Sequence, residues 1–344
     1  MTPLRITEVV TTDVFAGTER YVADVSRELS RRGHEVTVVG GDPAPMIRAT
    51  GPSVRWLPGA STRAAVRSLA RGGARDVVHS HMTKADFVAL ATAPATRGAR
   101  VSTRHITVPR GYSPAARRIA PLVRRSLSTE LAVSEWSSQQ LEHPADAVVL
   151  NGVASVPDST VTRERLVVVA QRLAPEKDTT TALGAFAMSG LAGHGWRLQI
   201  AGSGVEEPTL RRLATAHGIA ANTDFLGWVD DVDDLYDRAA ILLAPAPTEP
   251  CGLTVIEAMA HGLPVVAAAA GGHLETVGQH HDAALFPSGD VRAAADQLAR
   301  LAADPVARDA YGTALRTLQR ERLTIGAHVD RLEQVYRDVV TRRR

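Results

Sequence analysis

The stretch RLVVVAQRLAPEKD, residues 165–178, begins with an unbroken apolar run and ends in a loop carrying Arg172 and Lys177. A β-branched run with no polar alternation suits a strand buried on both faces, as in a parallel sheet covered by helices. The pattern restarts further on with WRLQIAGSG, TDFLGWV, AAILLAPA, PVVAA and AALF. Before it, the same alternation runs through LRITEVV, HEVTVVGG, SVRWLP, DVVHSH, RVSTRH, TELAVS and AVVLNG. Between these runs lie helical patterns such as ERYVADVSRELSRRG, where Val22, Val25 and Leu29 share one face and Gly33 ends the helix.

The Ser/Thr/Pro/Asp-rich segment 150–165 reads as a linker between the two series. The expectation is an α/β protein with two doubly wound, parallel-sheet domains facing each other across a cleft. Residues 1–153 form the first, 154–320 the second, and 321–344 a closing helix that packs back towards the first. A chain of 344 residues is long enough for two cores.

Composition narrows the partners. No run of eighteen apolar residues occurs, and MTPLRITEVVTTDVF lacks the basic-then-apolar shape of a signal peptide. A single cysteine, Cys251, excludes an internal disulfide, and the expected location is the cytoplasm. Net charge is +2 but uneven: residues 1–153 carry 20 Lys/Arg against 13 Asp/Glu, and the remainder 19 against 24. A basic first half suits an anionic partner, either an anionic membrane surface at the inner face or a phosphorylated acceptor. Nucleic acid is excluded as the expected partner, because aromatics are only 4% and no basic-aromatic platform appears.

Ligands of such sheets bind beyond the carboxyl ends of the strands, and the informative residues fall there. After the first strand, Gly17 precedes a helix start whose unpaired amides favour an anion. After RLVVVA, Arg172 and Lys177 stand where both reach one phosphate pair. Lys177 is one of only two lysines among 39 basic residues, the other being Lys84, which suggests a site wanting a compact charge. A Gly-rich turn with Gly202 follows the next strand. In TEPCGLTVIEAMAHGLPVV (248–266), Glu249 sits in a Pro/Gly loop and Glu257 on the helix after it. Two carboxylates so placed, with the amides of Cys251, Gly252 and Leu253, suit the hydroxyls of a polyol-like ligand. Gly271 and Gly272 offer a second phosphate nest. Together these describe a pocket for a nucleotide-sugar donor.

AGTE (16–19), RLAPEK (172–177), the Glu249/Glu257 E-x7-E pair and GGHLE (271–275), in this order, resemble the retaining glycosyltransferases of family four. The resemblance covers nearly the whole chain and implies the GT-B fold, two Rossmann-like domains. It implies that Gly17 meets the distal phosphate and that Arg172 and Lys177 hold the diphosphate. It gives Glu249 and the Cys251–Leu253 amides to the donor sugar, Glu257 to the ribose, and His105 to the donor sugar from the other domain. It also implies transfer without a bound metal or separate cofactor, by a same-face mechanism. UDP is the default base, with GDP next, and the sugar, lipid-linked or small-molecule acceptor is not legible.

Two other readings stay open from the sequence, a nucleotide-sugar 2-epimerase of the same architecture and a non-catalytic binding protein. His79 and His81 share a strand face but show no third ligand at metal spacing, so no metal is assigned. In residues 110–127, Ile119, Leu122, Val123 and Leu127 are expected to face the core beneath an arginine-rich outer face, the alternative being a membrane-surface helix. Cys251, beside a helix start and two cations, is expected to be a reactive thiol.

Overall fold

The computed structural model describes residues 2–111, 113–229 and 231–343; Tyr112, within the arginine-rich 110–127 stretch, lies outside them. The chain divides into two compact units, Met1–Asn151 joined by Ile325–Arg344, and Gly152–Thr324.

The first unit holds β1 (Arg5–Val10), β2 (Glu35–Val39), β3 (Arg55–Leu57), β4 (Val77–His81), β5 (Ala99–Arg104), β6 (Thr129–Ala132) and β7 (Ala147–Val148). They form one parallel sheet in the order β3-β2-β1-β4-β5-β6-β7. The order reverses between β1 and β4, which defines the switch point of a doubly wound sheet. One face is aliphatic: Val9, Val39 and Val78 pack on Ala65 and Leu69 of the Thr62–Arg71 helix and on Ala85 and Val88 of the Met82–Ala91 helix. The other face is different. Glu8, His79 and His81 project from β1 and β4 towards the Gly17–Arg31 and Ile325–Thr341 helices, and none exposes any surface.

The second unit holds β8 (Leu166–Ala170), β9 (Arg197–Ala201), β10 (Thr223–Gly227), β11 (Ile241–Ala244), β12 (Val265–Ala268) and β13 (Ala284–Phe286). All are parallel, in the order β10-β9-β8-β11-β12-β13, with the switch point between β8 and β11. Val167, Val169, Leu198, Ile200, Leu243 and Val266 bury a continuous core with Phe186, Trp196 and Leu298. Each of the thirteen apolar runs quoted above is a strand, trimmed at its ends. Both sheets are doubly wound and Rossmann-like, as expected.

The helices follow local chemistry. In Gly17–Arg31, Val22, Val25 and Leu29 are fully buried, and Gly33 stands at φ +90° just past the C-cap. Glu19 closes its N-terminus, accepting from the Ala16 amide at 3.0 Å and from the Thr12 hydroxyl at 2.7 Å. The Pro114–Ser126 helix corrects one expectation. Val123 and Leu127 are buried, but Ile119 and Leu122 are 45% and 58% exposed, on a helix where Arg117, Arg118 and Arg125 are exposed too. Helical spacing alone does not tell a core-facing stripe from an unpartnered one. Among the described residues no helix is long and apolar enough to cross a membrane.

Candidate active site

In the second unit the loops leaving β8 and β11 meet beyond the switch point. The β8 loop turns through Pro175–Lys177, and Asp178, at φ +48°, caps the following Thr179–Met188 helix by accepting from the Thr181 amide. This delivers Lys177 to the β11 loop, where its Nζ donates to Glu249 Oε2 at 2.5 Å. Glu249 Oε1 accepts from the Gly252 amide at 3.2 Å. Burial alone would raise the Glu249 carboxyl, but the charge and hydrogen bond of Lys177, with His273 and the Gly252 amide, outweigh it and hold the acid ionised. Arg172 does not join this pair. It is exposed, and its guanidinium donates to Glu176 four residues on at 2.7 Å.

The glycines around this pair are explained by close backbone approach. A Cβ on Gly202, at φ +140°, would sit 1.9 Å from the Gln171 carbonyl oxygen, so the turn after β9 must be glycine for the Arg172–Lys177 loop to lie against it. Gly271, at φ +56°, and Gly272 do the same for the Glu249 loop. Their Cβ atoms would come within 2.4 Å of the Glu249 carbonyl oxygen and 2.6 Å of the Cys251 Cα. The Gly272 amide donates to that Glu249 carbonyl at 2.7 Å. The pair therefore braces the carboxylate loop, where the sequence suggested a phosphate nest.

Gly252, at φ +86°, caps the Leu253–Ala260 helix, and its amide is engaged by Glu249. Glu257 lies on the second turn of that helix, and the buried Tyr236 hydroxyl donates to it at 3.4 Å. Cys251 is only 3% exposed, so the reactive thiol expected from its neighbours is out of reach of solvent. His273, to which no role was given, packs its ring against Gly252, and burial lowers its pKa.

In the first unit Gly17 begins its helix after the β1 loop, and a Cβ there would touch nothing within 4 Å. Space, not strain, surrounds it. His105 follows β5 and is half-buried. Its Nε2 lies 3.0 Å from His81 Nδ1, and His81 Nε2 lies 2.6 Å from Glu8 Oε2. Glu8 Oε1 also accepts from the Tyr336 hydroxyl at 3.0 Å, and that hydroxyl oxygen is 2.6 Å from His79 Nδ1. Spacing alone shows no third partner for His79 and His81; the parallel register supplies one by setting Glu8 beside His79. Glu8, His79 and His81 offer three ligand-type atoms within 4.8 Å of one another. Tetrahedral zinc with bonds of about 2.0–2.1 Å would hold its donor atoms roughly 3.3 Å apart. The 2.6 Å contact between Glu8 and His81 is instead a charge-assisted hydrogen bond.

The glycosyltransferase family 4 model matches residues 15–154, and the glycosyl transferases group 1 model matches residues 157–317. The chain belongs to this glycosyltransferase family and has the GT-B fold. It is 29% identical over 275 residues to an exopolysaccharide phosphotransferase of Streptomyces coelicolor, covering 74% of this chain and 29% of that protein. It is 31% identical over 225 residues to a GDP-mannose-dependent monoacylated α-(1-6)-phosphatidylinositol monomannoside mannosyltransferase of Corynebacterium glutamicum, covering 56% of this chain and 58% of that one. The matches thus span less than two thirds of either relative. Among solved structures, Anabaena HepE in complex with UDP-glucose superposes with a TM-score of 0.81 at 20% identity, over 97% of this chain and all of that one.

Proposed function

We propose that this chain is a retaining glycosyltransferase that moves a sugar from a nucleotide-sugar donor, UDP-linked by preference and GDP-linked next, to a hydroxyl acceptor. The observation that carries the reading is the Lys177–Glu249 pair, formed beyond the β8/β11 switch point of one doubly wound unit. A phosphate-seeking cation and a sugar-seeking carboxylate there are prepositioned for the two halves of one donor.

Breaking the anomeric bond builds negative charge on the departing diphosphate and positive charge on the sugar ring. Lys177 neutralises the first, and donor binding draws it from Glu249 towards the phosphate oxygens. Arg172 exchanges Glu176 for the same group. Together they take the part a metal would otherwise play, so the reaction proceeds without one. Glu249 then accepts hydrogen bonds from donor-sugar hydroxyls, and Glu257 from the ribose. The acceptor attacks on the face the diphosphate leaves, and a diphosphate oxygen takes its proton.

The nucleotide sugar is a substrate, and no separate cofactor is invoked. The exposed Ile119 and Leu122 among arginines favour a lipid-linked acceptor reached at an anionic membrane surface. A thermal-shift panel of UDP, GDP, ADP and TDP tests the donor. A nucleotide at 100 times its Kd should stabilise the protein by about 2.7 kcal/mol. No shift with any of the four defeats the reading.

A further inference from the structure

We propose that Glu8 and His81 are positioning residues that fix the tautomer of His105, leaving its Nδ1 as a permanent hydrogen-bond acceptor. The assignment of that nitrogen to a donor-sugar hydroxyl rests on the function proposed above; the tautomer itself does not.

The argument is a chain of donors and acceptors. An ionised carboxylate only accepts, so His81 Nε2, 2.6 Å from Glu8 Oε2, carries the proton. Burial would raise the Glu8 carboxyl, but its interactions with His79 and His81 outweigh it and hold the acid well below the usual range. Burial, with the neighbouring His79, pushes His81 down to about 4 against the pull of Glu8, so at neutral pH this ring has one proton. Its Nδ1 is therefore an acceptor. The atom 3.0 Å away, His105 Nε2, must donate. That leaves Nδ1 as the unprotonated nitrogen of His105, and it takes no hydrogen bond from the described residues.

The surroundings prevent the ring from escaping this state. Glu8 is held on three sides, by His81, by His79 at 3.2 Å and by the Tyr336 hydroxyl of the Ile325–Thr341 helix. His79 Nε2 lies 2.7 Å from the Thr103 hydroxyl oxygen, a hydrogen bond that fixes that ring from the β5 side. Tyr21, from the Gly17–Arg31 helix, stands edge-on to His105 with ring centroids 4.7 Å apart. The Tyr21 hydroxyl donates to His328 Nε2 at 2.8 Å, and His328 Nδ1 donates to the Leu150 carbonyl at 2.7 Å. Met82, at φ +69°, turns the chain sharply straight after His81. Burial first, then His81, His79 and His328, push His105 well below its ordinary pKa, with Glu8 opposing. His105 is thus a neutral acceptor, suited to a hydroxyl and unsuited to a phosphate.

Histidine-selective 15N labelling of the full chain tests this by long-range nitrogen–proton correlation, with His105→Gln assigning the signal. His105 should carry its proton on Nε2 and keep that form from about pH 8 to pH 5, across the usual histidine range. A proton on Nδ1, or titration in that window, overturns the proposal without any further variant. Glu8→Gln, whose amide both donates and accepts, should make His81 and then His105 a mixture of tautomers; an unchanged His105 spectrum removes Glu8 from the relay. Should that protein fail to fold, Glu8→Asp replaces it, and its restored carboxylate should keep His105 on Nε2. A retained metal ion at one per chain, found by elemental analysis, would replace the hydrogen-bonded relay with a coordinated one. Turnover of UDP-glucose should fall about 10–100-fold in kcat for Glu8→Gln, the scale of losing an orienting partner, with KM nearly unchanged.

Discussion

Lys177 Nζ and Glu249 Oε2 stand 2.5 Å apart although 72 residues separate them in the chain. Each is the other's counter-ion, so each loses its setting when the other is removed. Lys177→Ala should lower kcat by about 10²–10³, the cost of one lost charge-stabilising donor. Glu249→Gln keeps the shape but frees Lys177 from its anion. It should bind free nucleoside diphosphate at least as tightly as the parent while losing sugar transfer. Calorimetric titration with UDP or GDP, read beside turnover, separates the two. A Lys177→Ala protein with near-normal turnover would falsify the clamp.

Acid should loosen the first unit through its buried histidines. Burial lowers His328 to about 4, its Leu150 hydrogen bond opposing, and lowers His81 to about 4. A histidine lowered from about 6.5 gives stability that is complete above 6.5 and lost as pH falls towards 4, up to about 3 kcal/mol per group. Thermal unfolding at pH 7, 6 and 5 should show a falling Tm, with the slope reduced in His328→Gln. A Tm flat over that window contradicts the burial of neutral rings.

Gly271→Ala should cost about 1–3 kcal/mol, as overpacking does, plus roughly 1 kcal/mol for the left-handed backbone. Its Cβ would meet the Glu249 carbonyl, not a flexible side chain, so relief requires moving the carboxylate loop. Nucleotide-sugar turnover should therefore fall more than global stability does. Gly17→Ala, where a Cβ meets nothing, should leave stability unchanged; denaturant melts of both variants check the contrast.

The Pro114–Ser126 helix should carry the protein to anionic vesicles. Flotation with phosphatidylglycerol-containing liposomes should recover it at low salt, and recovery should drop with added salt. Ile119→Ser with Leu122→Ser should lose binding without loss of fold, since both side chains are exposed. Equal flotation with neutral vesicles would remove the charge argument.

The architecture was legible because most strands are short apolar runs bounded by turn residues, and the β-branched LVVVA at 166–170 leaves little choice. Lys177 and Glu249 were each legible as site residues because each follows a strand. Their pairing was not, since the sequence set Lys177 beside Arg172 and Glu249 beside Glu257, whereas Arg172 turns to Glu176. The histidine relay was not. Glu8 is a lone acid in RITEVV, and its partners His81 and Tyr336 lie 73 and 328 residues away. A buried acid within an apolar run was the available signal, but it carries no address for what neutralises it. Ile119 and Leu122 were misplaced for the converse reason, that a helical stripe does not say what covers it. Gly271 and Gly272 look alike as a ligand nest or as a seat for another loop, and only the neighbouring backbone distinguishes them.

The first unit is assembled from two stretches of chain that flank the whole of the second, and this inverts the usual order of maturation. During synthesis residues 152–324 are complete while the Glu8 face still lacks the helix bearing His328 and Tyr336. The earlier-made sheet must wait, half-clothed, for a segment made after the second unit. A fragment cut after Asn151 should accordingly be a poor folder, and adding residues 325–344 as a separate peptide should rescue it.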